Sequence, residues 1–228
     1  QRAGKRNLKV LDATCPLVTK VHGEAQRYAE KKHTIILIGH KDHVEVQGTV
    51  GEAPERIIVV GSVEEVASLK VEDENKIGYI TQTTLSMDDT SEIIDILKKR
   101  FPKIQGPAKD DICYATQNRQ NAVKALSKEV ELVLVVGAQN SSNSLRLLEV
   151  AKSTGVNARR IESAAELKVE WLEGVSDIGI TAGASAPEDI VQGIVNQIRE
   201  MSASSRILDL EIVKEDVTFA LPAVLRTF

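Results

Sequence analysis

Two cysteines, Cys15 and Cys113, stand in polar surroundings, in "LDATCPLVTKVH" and "KDDICYATQNRQ". Four polar turns hold the other side chains able to do chemistry. "GHKDHVEVQGT" brings His40, His43 and Glu45 together after an apolar run. One His can bind an anion there while one Glu moves a proton. "GAQNSSNSLRLLE" places Ser141, Ser142, Asn143 and Ser144 just before or within the first turn of a helix. Unpaired amides, the positive dipole end and hydroxyl donors make that an anion cradle. "TQTTLS" offers Thr81, Thr83, Thr84 and Ser86; "TAGASAPED" offers Thr181 and Ser185, with Gly183 allowing close backbone approach. Neither matches a Walker or Rossmann glycine pattern, so a small phosphorylated ligand held by neutral donors fits better than a nucleotide.

Each feature also has an ordinary reading. The first turn serves equally as a surface loop. Ser and Asn cap helices without binding anything, although one cap needs one such residue and here four follow in a row. A buried free cysteine is commonly just core. Two thiolates alone make a poor metal site, and a cubane iron–sulfur cluster usually takes four cysteines. With three, one iron stays open to a substrate, as a catalytic zinc keeps an open position.

The elements that must position these residues repeat. Apolar runs at 34–38, 57–60, 76–81, 132–136, 158–161 and 177–181 read as buried strands. Helical patterns at 91–99, 121–130, 143–153 and 190–201 lie between them. Strand alternating with helix predicts an α/β fold with parallel sheets, whose ligands sit beyond the carboxyl ends of the strands. From Cys15 to Cys113 is 98 residues, and so is the step from Gly39 to Gly137. At that offset His43 falls opposite Ser141 and Glu45 opposite Asn143. "YITQTTLSMDDTSEIIDIL" matches "GITAGASAPEDIVQGIV" at nearly the same spacing, with Ser86 as a helix cap. The expected organisation is an α/β unit at 15–109, a second at 110–200 and a tail at 201–228, with 1–14 closing a preceding unit. The repeat predicts a third unit with its own cysteine outside this chain.

The 228 residues are 42% apolar and 27% charged, with a net charge of −4. No basic face for nucleic acid is expected, and no apolar run nears the ~20 residues of a membrane helix. The N-terminal ten residues lack the apolar core of a secretory signal. Two cysteines are no disulfide framework, so a reducing compartment is expected.

Together, "DATCPLVTKVH", the "GH..H.E..GT.G" turn, "TQTTLS.DDT", "DDICYAT.NRQ.AV", "NSSNS.RL" and "TAGASAP" resemble the 4-hydroxy-3-methylbut-2-enyl diphosphate reductase (LytB) family. The resemblance runs from about residue 8 to 201. It implies three α/β units around a central [4Fe-4S] cluster held by one cysteine per unit, with Cys15 and Cys113 as two of the ligands. The third cysteine, in a Phe-Cys-Ala-Gly-type motif, and two further histidines belong to a first unit not found in this sequence. The resemblance further implies Glu45 as proton-relay acid and Thr83 as the residue that positions the substrate hydroxyl. It makes His43, Ser141, Ser142, Asn143 and Ser185 the diphosphate ligands. Gln82 and Thr84 flank the site, and His40 is expected to be structural. The implied reaction is reductive removal of an allylic hydroxyl, the last step of the non-mevalonate isoprenoid pathway. A ferredoxin or flavodoxin would supply electrons, in the bacterial cytoplasm or a plastid stroma. The competing expectation is a phosphate-ligand binding module with structural or redox-sensing thiols.

Overall fold

Runs of β-branched and leucine residues become the central strands of two three-stranded sheets. In the computed structural model, which describes residues 6, 10–109, 111–202, 205–221 and 225, β1 (Thr34–Ile38) lies between β2 (Ile57–Val60) and β3 (Ile77–Thr81). β4 (Leu132–Val136) likewise lies between β5 (Asn157–Ile161) and β6 (Ile178–Ala182). All pairings are parallel; Ile35 faces Ile57 and Gly78, and Val133 faces Ala158 and Gly179. Every residue of β1 and β4 is buried, because helices cover both faces of a parallel sheet and the sequence carries no polar alternation there. Most of the proposed end of a preceding unit lies outside the described residues.

Seven α-helices are described: α1 (Pro16–Glu30), α2 (Val44–Glu52), α3 (Val63–Ala67), α4 (Met87–Arg100), α5 (Tyr114–Leu126), α6 (Ser142–Ser153) and α7 (Glu188–Met201). Backbone packing divides the chain into two units. One comprises Gln1–Gln82, Ile96–Asp111 and Thr218–Phe228; the other comprises Thr83–Asp95 and Ile112–Val217. In the first, Val21 and Ala25 of α1 and Val46 of α2 pack on Ile35, Leu37 and Ile80. In the second, Val123 of α5 and Leu147, Val150 and Ala151 of α6 cover Val133 and Val135, while Ile194 of α7 packs with Leu132, Leu134 and Val136. The alternation along β4 thus feeds two cores, one per face.

The sequence repeat is a structural one. Thr34 to Leu132 is a step of 98 residues, and so is Pro16 to Tyr114; the later strands and helices, from Ile77 to Ile178 and from Met87 to Glu188, are offset by 101. Helix α5 differs from its sequence expectation, beginning at Tyr114 and ending at Leu126. Cys113 caps its start, and its polar first turns carry no apolar period to announce it. Val130, expected inside the helix, instead packs against the core beyond it.

Glycines at the strand ends make room for the helices that follow. A Cβ on Gly39 would stand 2.7 Å from Val46, and one on Gly137 would collide with Ser144, the equivalent residue. By contrast, Gly51 in α2 and Gly193 in α7 have open space where a Cβ would stand. Residues 205–221 run without helix or strand. No helix among the described residues is long and apolar enough to cross a membrane.

Candidate functional site

Helix N-termini at the carboxyl ends of the strands carry most of the candidate residues. In the first unit, β1 ends at Ile38 and the chain turns through Gly39 and His40 to His43, the N-cap of α2. The His43 Nδ1 atom accepts the Glu45 N–H at 3.2 Å. Nδ1 is therefore the acceptor, and Nε2 carries the hydrogen that can be donated to an anion. Glu45 lies in the first turn of α2, half-buried, where sequence reading had only a polar turn. Gln82, the residue after β3, is buried; its Oε1 accepts the His40 N–H at 3.1 Å and its N–H donates to the Ile38 carbonyl. Gln82 therefore fixes the loop that leads to His43. The His40 carbonyl in turn accepts the His43 N–H at 2.9 Å.

Cys15 is the N-cap of α1 in the same unit, exposed and without a side-chain cap bond. Pro16 occupies the first helical position, where a missing N–H costs nothing. Ahead of the cysteine, Asp12 accepts the Thr14 N–H at 2.9 Å and the Thr14 hydroxyl at 2.7 Å. These two bonds hold the Asp12 carboxyl below its usual range.

The second unit uses the same frame with other side chains. Cys113 caps α5, and its Sγ receives the Thr116 N–H at 3.3 Å and lies 3.1 Å from the Thr116 hydroxyl. Its own N–H donates to the Thr83 carbonyl at 3.0 Å, which brings those two candidates together. Ser141 caps α6 by accepting the Ser144 N–H at 3.3 Å. Ser142 Oγ is 3.3 Å from Thr84 Oγ1. Both amide atoms of Asn143 are shut from solvent with no hydrogen-bond partner among the described residues. A Cβ on Gly183 would lie 3.7 Å from Asn143 Nδ2, so the loop after β6, which also carries exposed Ser185, comes alongside the start of α6. A buried amide with both ends unsatisfied is costly unless something else completes it. Beside three hydroxyls and a helix N-terminus, an anion with several oxygens would do so.

The LytB protein family model matches residues 1–199. The chain belongs to the LytB protein family. It is 53% identical to the 4-hydroxy-3-methylbut-2-enyl diphosphate reductase of Ectopseudomonas mendocina (strain ymp), with 98% of this chain and 72% of that protein covered. Identity to reductase 1 of Mycobacterium bovis is 50%, over 99% of this chain and 67% of that protein. Among solved structures, the E-1-hydroxy-2-methyl-but-2-enyl-4-diphosphate reductase from Plasmodium falciparum matches with a TM-score of 0.94 at 38% identity, covering 99% of this chain and 71% of that one.

Proteins of the LytB family are generally [4Fe-4S] enzymes, which makes the donor set the point to test. Both cysteines of this LytB chain are free thiols, and both cap a helix, where N-terminal amides favour an anionic group. That chemistry fits two thiolate ligands. Among the described residues no group of three or more His, Cys, Asp or Glu converges as a metal site. Cys15 lies in the first unit and Cys113 in the second.

Sequence reasoning missed a buried charge cluster in the first unit. Asp111 accepts Lys20 Nζ at 2.9 Å on one oxygen and the Thr81 N–H at 3.0 Å on the other. Lys20 also donates to the Lys109 carbonyl at 2.6 Å. Glu24, one turn further along α1, is 5% exposed, with Oε1 facing Arg27 at 3.4 Å. Burial first, and then the Asp111 charge, hold its carboxyl above the usual range, against the pull of Lys20 and Arg27. The only sequence signal was the acidic pair before Ile112, far from Lys20 along the chain.

Proposed function

We propose that this chain carries out the reductive dehydroxylation of (E)-4-hydroxy-3-methylbut-2-enyl diphosphate, giving isopentenyl diphosphate and dimethylallyl diphosphate. The observation that carries the reading is the 53% identity to a protein of that name across 98% of the chain. The geometry supports it in three places.

Cys15 and Cys113 would hold a [4Fe-4S] cluster together with the third cysteine that the family resemblance implies. When bound, the cluster supplies electrons and a Lewis-acidic iron for the leaving hydroxyl oxygen. The chain's own residues do the rest. His43 donates from Nε2 to a diphosphate oxygen, its ring fixed by the Glu45 N–H. Ser141, Ser142 and Ser185 donate hydroxyls, and the Asn143 amide donates from Nδ2, its buried and unpartnered state relieved by the ligand. The first-turn amides of α6 add the helix end to the same charge. Thr83 orients the substrate hydroxyl and Glu45 delivers the proton with which that hydroxyl leaves as water; two electrons from the donor and a second proton to carbon complete the product. Glu45 can also exchange that proton, since it is half-buried and not sealed. A ferredoxin or flavodoxin type protein is the electron donor under this reading, and the cytoplasm or a plastid stroma the compartment. The alternative of a plain binding module finds no support in the comparisons.

The test is anaerobic reconstitution with iron and sulfide, of the chain alone and joined to the segment bearing the third cysteine. A brown protein with broad visible absorbance, which turns the allylic alcohol diphosphate into the two products with a chemical reductant, is expected. A colourless, iron-free protein in both forms would sink the assignment.

A further inference from the structure

The charge cluster around Asp111 has no part in the chemistry above, yet it lies two residues before a proposed cluster ligand. Its carboxylate side chain is fully buried, while that of Lys20 is 29% exposed. One carboxylate oxygen takes the Lys20 ammonium and the other the amide of Thr81, the last residue of β3. The Lys20 ammonium also holds the Lys109 carbonyl. The chain on either side of residue 110 is thereby tied to helix α1 and to the end of β3. A buried carboxylate with a lysine and an amide aimed at it has one low-energy position, and losing either partner leaves an uncompensated charge. In the other copy the position equivalent to Lys20 is Asn118, which instead bonds Glu215. The device is therefore no general requirement of the repeat.

We propose that Asp111, clamped by Lys20 and the Thr81 amide, is a positioning residue for Cys113: it fixes the segment that delivers this thiol to the start of α5. The inference rests on the reading of Cys113 as a cluster ligand, but the test reads the thiol itself and needs no iron.

Cys113 alkylation by iodoacetamide is followed by peptide mass at one fixed pH in this chain, in Asp111→Asn and in Lys20→Met. Asp111→Asn keeps the acceptor for Thr81 but turns an amide toward the ammonium. Lys20→Met keeps the aliphatic stem and so serves as the second variant if the first does not fold. Lys20→Arg is the rescue. Loss of one charge-assisted hydrogen bond raises local opening by about tenfold, so an increase of that order in the Cys113 rate is expected in both variants. Lys20→Arg should return the rate toward that of the unaltered chain. Val60→Ala, which removes fully buried volume from the same unit, should lower the melting temperature and leave the Cys113 rate unchanged. Unchanged Cys113 rates in folded Asp111→Asn and Lys20→Met overturn the proposal. It is overturned as well if Val60→Ala raises the rate as much as they do, because the cluster would then be only part of the stability of the unit. Failure here leaves the reconstitution result untouched, and the reverse holds too.

Discussion

The two copies of the repeat share a backbone plan and differ in what they hang on it. Each has a cysteine at the cap of its first helix, a central strand ending in glycine, and a capped helix directly after. In the first copy the second cap is His43, with the carboxylate of Glu45 in the following turn. In the second copy the same two places hold Ser141 and the Asn143 amide. Gln82 fills the space after β3 and bonds the loop backbone, whereas its counterpart Gly183 makes room for the Ser144 hydroxyl, close to Asn143. One frame therefore presents an imidazole and a carboxylate in one copy and a hydroxyl and an amide in the other. Three substitutions at aligned places suffice, because helix caps already aim their side chains at the strand ends.

The contrast can be broken at several points. The largest effect is expected from Cys113→Ser in the reconstituted enzyme: stable iron retention should vanish, as measured by iron per chain after desalting. An unchanged iron count would remove Cys113 from the ligand set. Next comes Glu45→Gln, which should lower turnover by about 10²-fold or more, as for loss of a general acid, while leaving diphosphate affinity nearly intact. Full turnover would remove Glu45 from the proton path and leave His43 as what the first copy brings to the site. Asn143→Ala should weaken diphosphate binding about tenfold, or roughly 1.4 kcal/mol, with little change in iron content. Calorimetric titration with the substrate analogue pyrophosphate reads that loss.

Two smaller effects sharpen the comparison. Thr116→Val makes the second cysteine resemble the first, whose equivalent residue is Val18. It keeps the N–H bond to sulfur but loses the hydroxyl, and should cost below about 1 kcal/mol in urea unfolding. A larger loss would mean that the thiol of Cys113 depends on this hydroxyl for its place.

The last concerns Glu24, whose equivalent in the second copy is Ala122. Its folded-state value lies above the ordinary 4.5, so the folded protein holds this proton more tightly than the unfolded chain. The contribution of Glu24 is then complete below 4.5 and declines as pH rises from there through the folded value. Carboxylates such as half-exposed Glu65 and exposed Glu131, held below their usual range by hydrogen bonds, act in the opposite sense and lose their contribution as pH falls. The difference in stability between the chain and Glu24→Gln should therefore change steadily above 4.5. A difference that stays constant with pH would show that folding leaves the proton affinity of Glu24 unchanged.

Sequence reading found the strands within a residue; β1 and β4 were plainest, because fully buried parallel strands are runs of Ile, Leu and Val with little to confuse them. The repeat was legible for the same reason: "TIILIG" and "LVLVVG" set one offset that the cysteines obey. The caps at Ser141 and Ser86 followed from residue type, and both accept first-turn amides. Helix α2 was not legible, because "VEVQGTVGE" mixes β-branched residues with two glycines. Packing of Val46 and Thr49 decides it against local preference. The Lys20–Asp111 pair was out of reach, because no local pattern links residues so far apart along the chain. The unsatisfied Asn143 amide was equally hidden, since satisfaction is a property of surroundings and not of residue type.

The two open helix glycines offer a practical handle. At Gly51 and Gly193 an added methyl group meets nothing, and alanine restricts the unfolded chain more than glycine does. Each exchange should raise stability by about 0.5–1 kcal/mol. A hardier parent of this kind would carry site variants that otherwise melt during long oxygen-free handling, leaving every side chain assigned to ligand or proton unaltered.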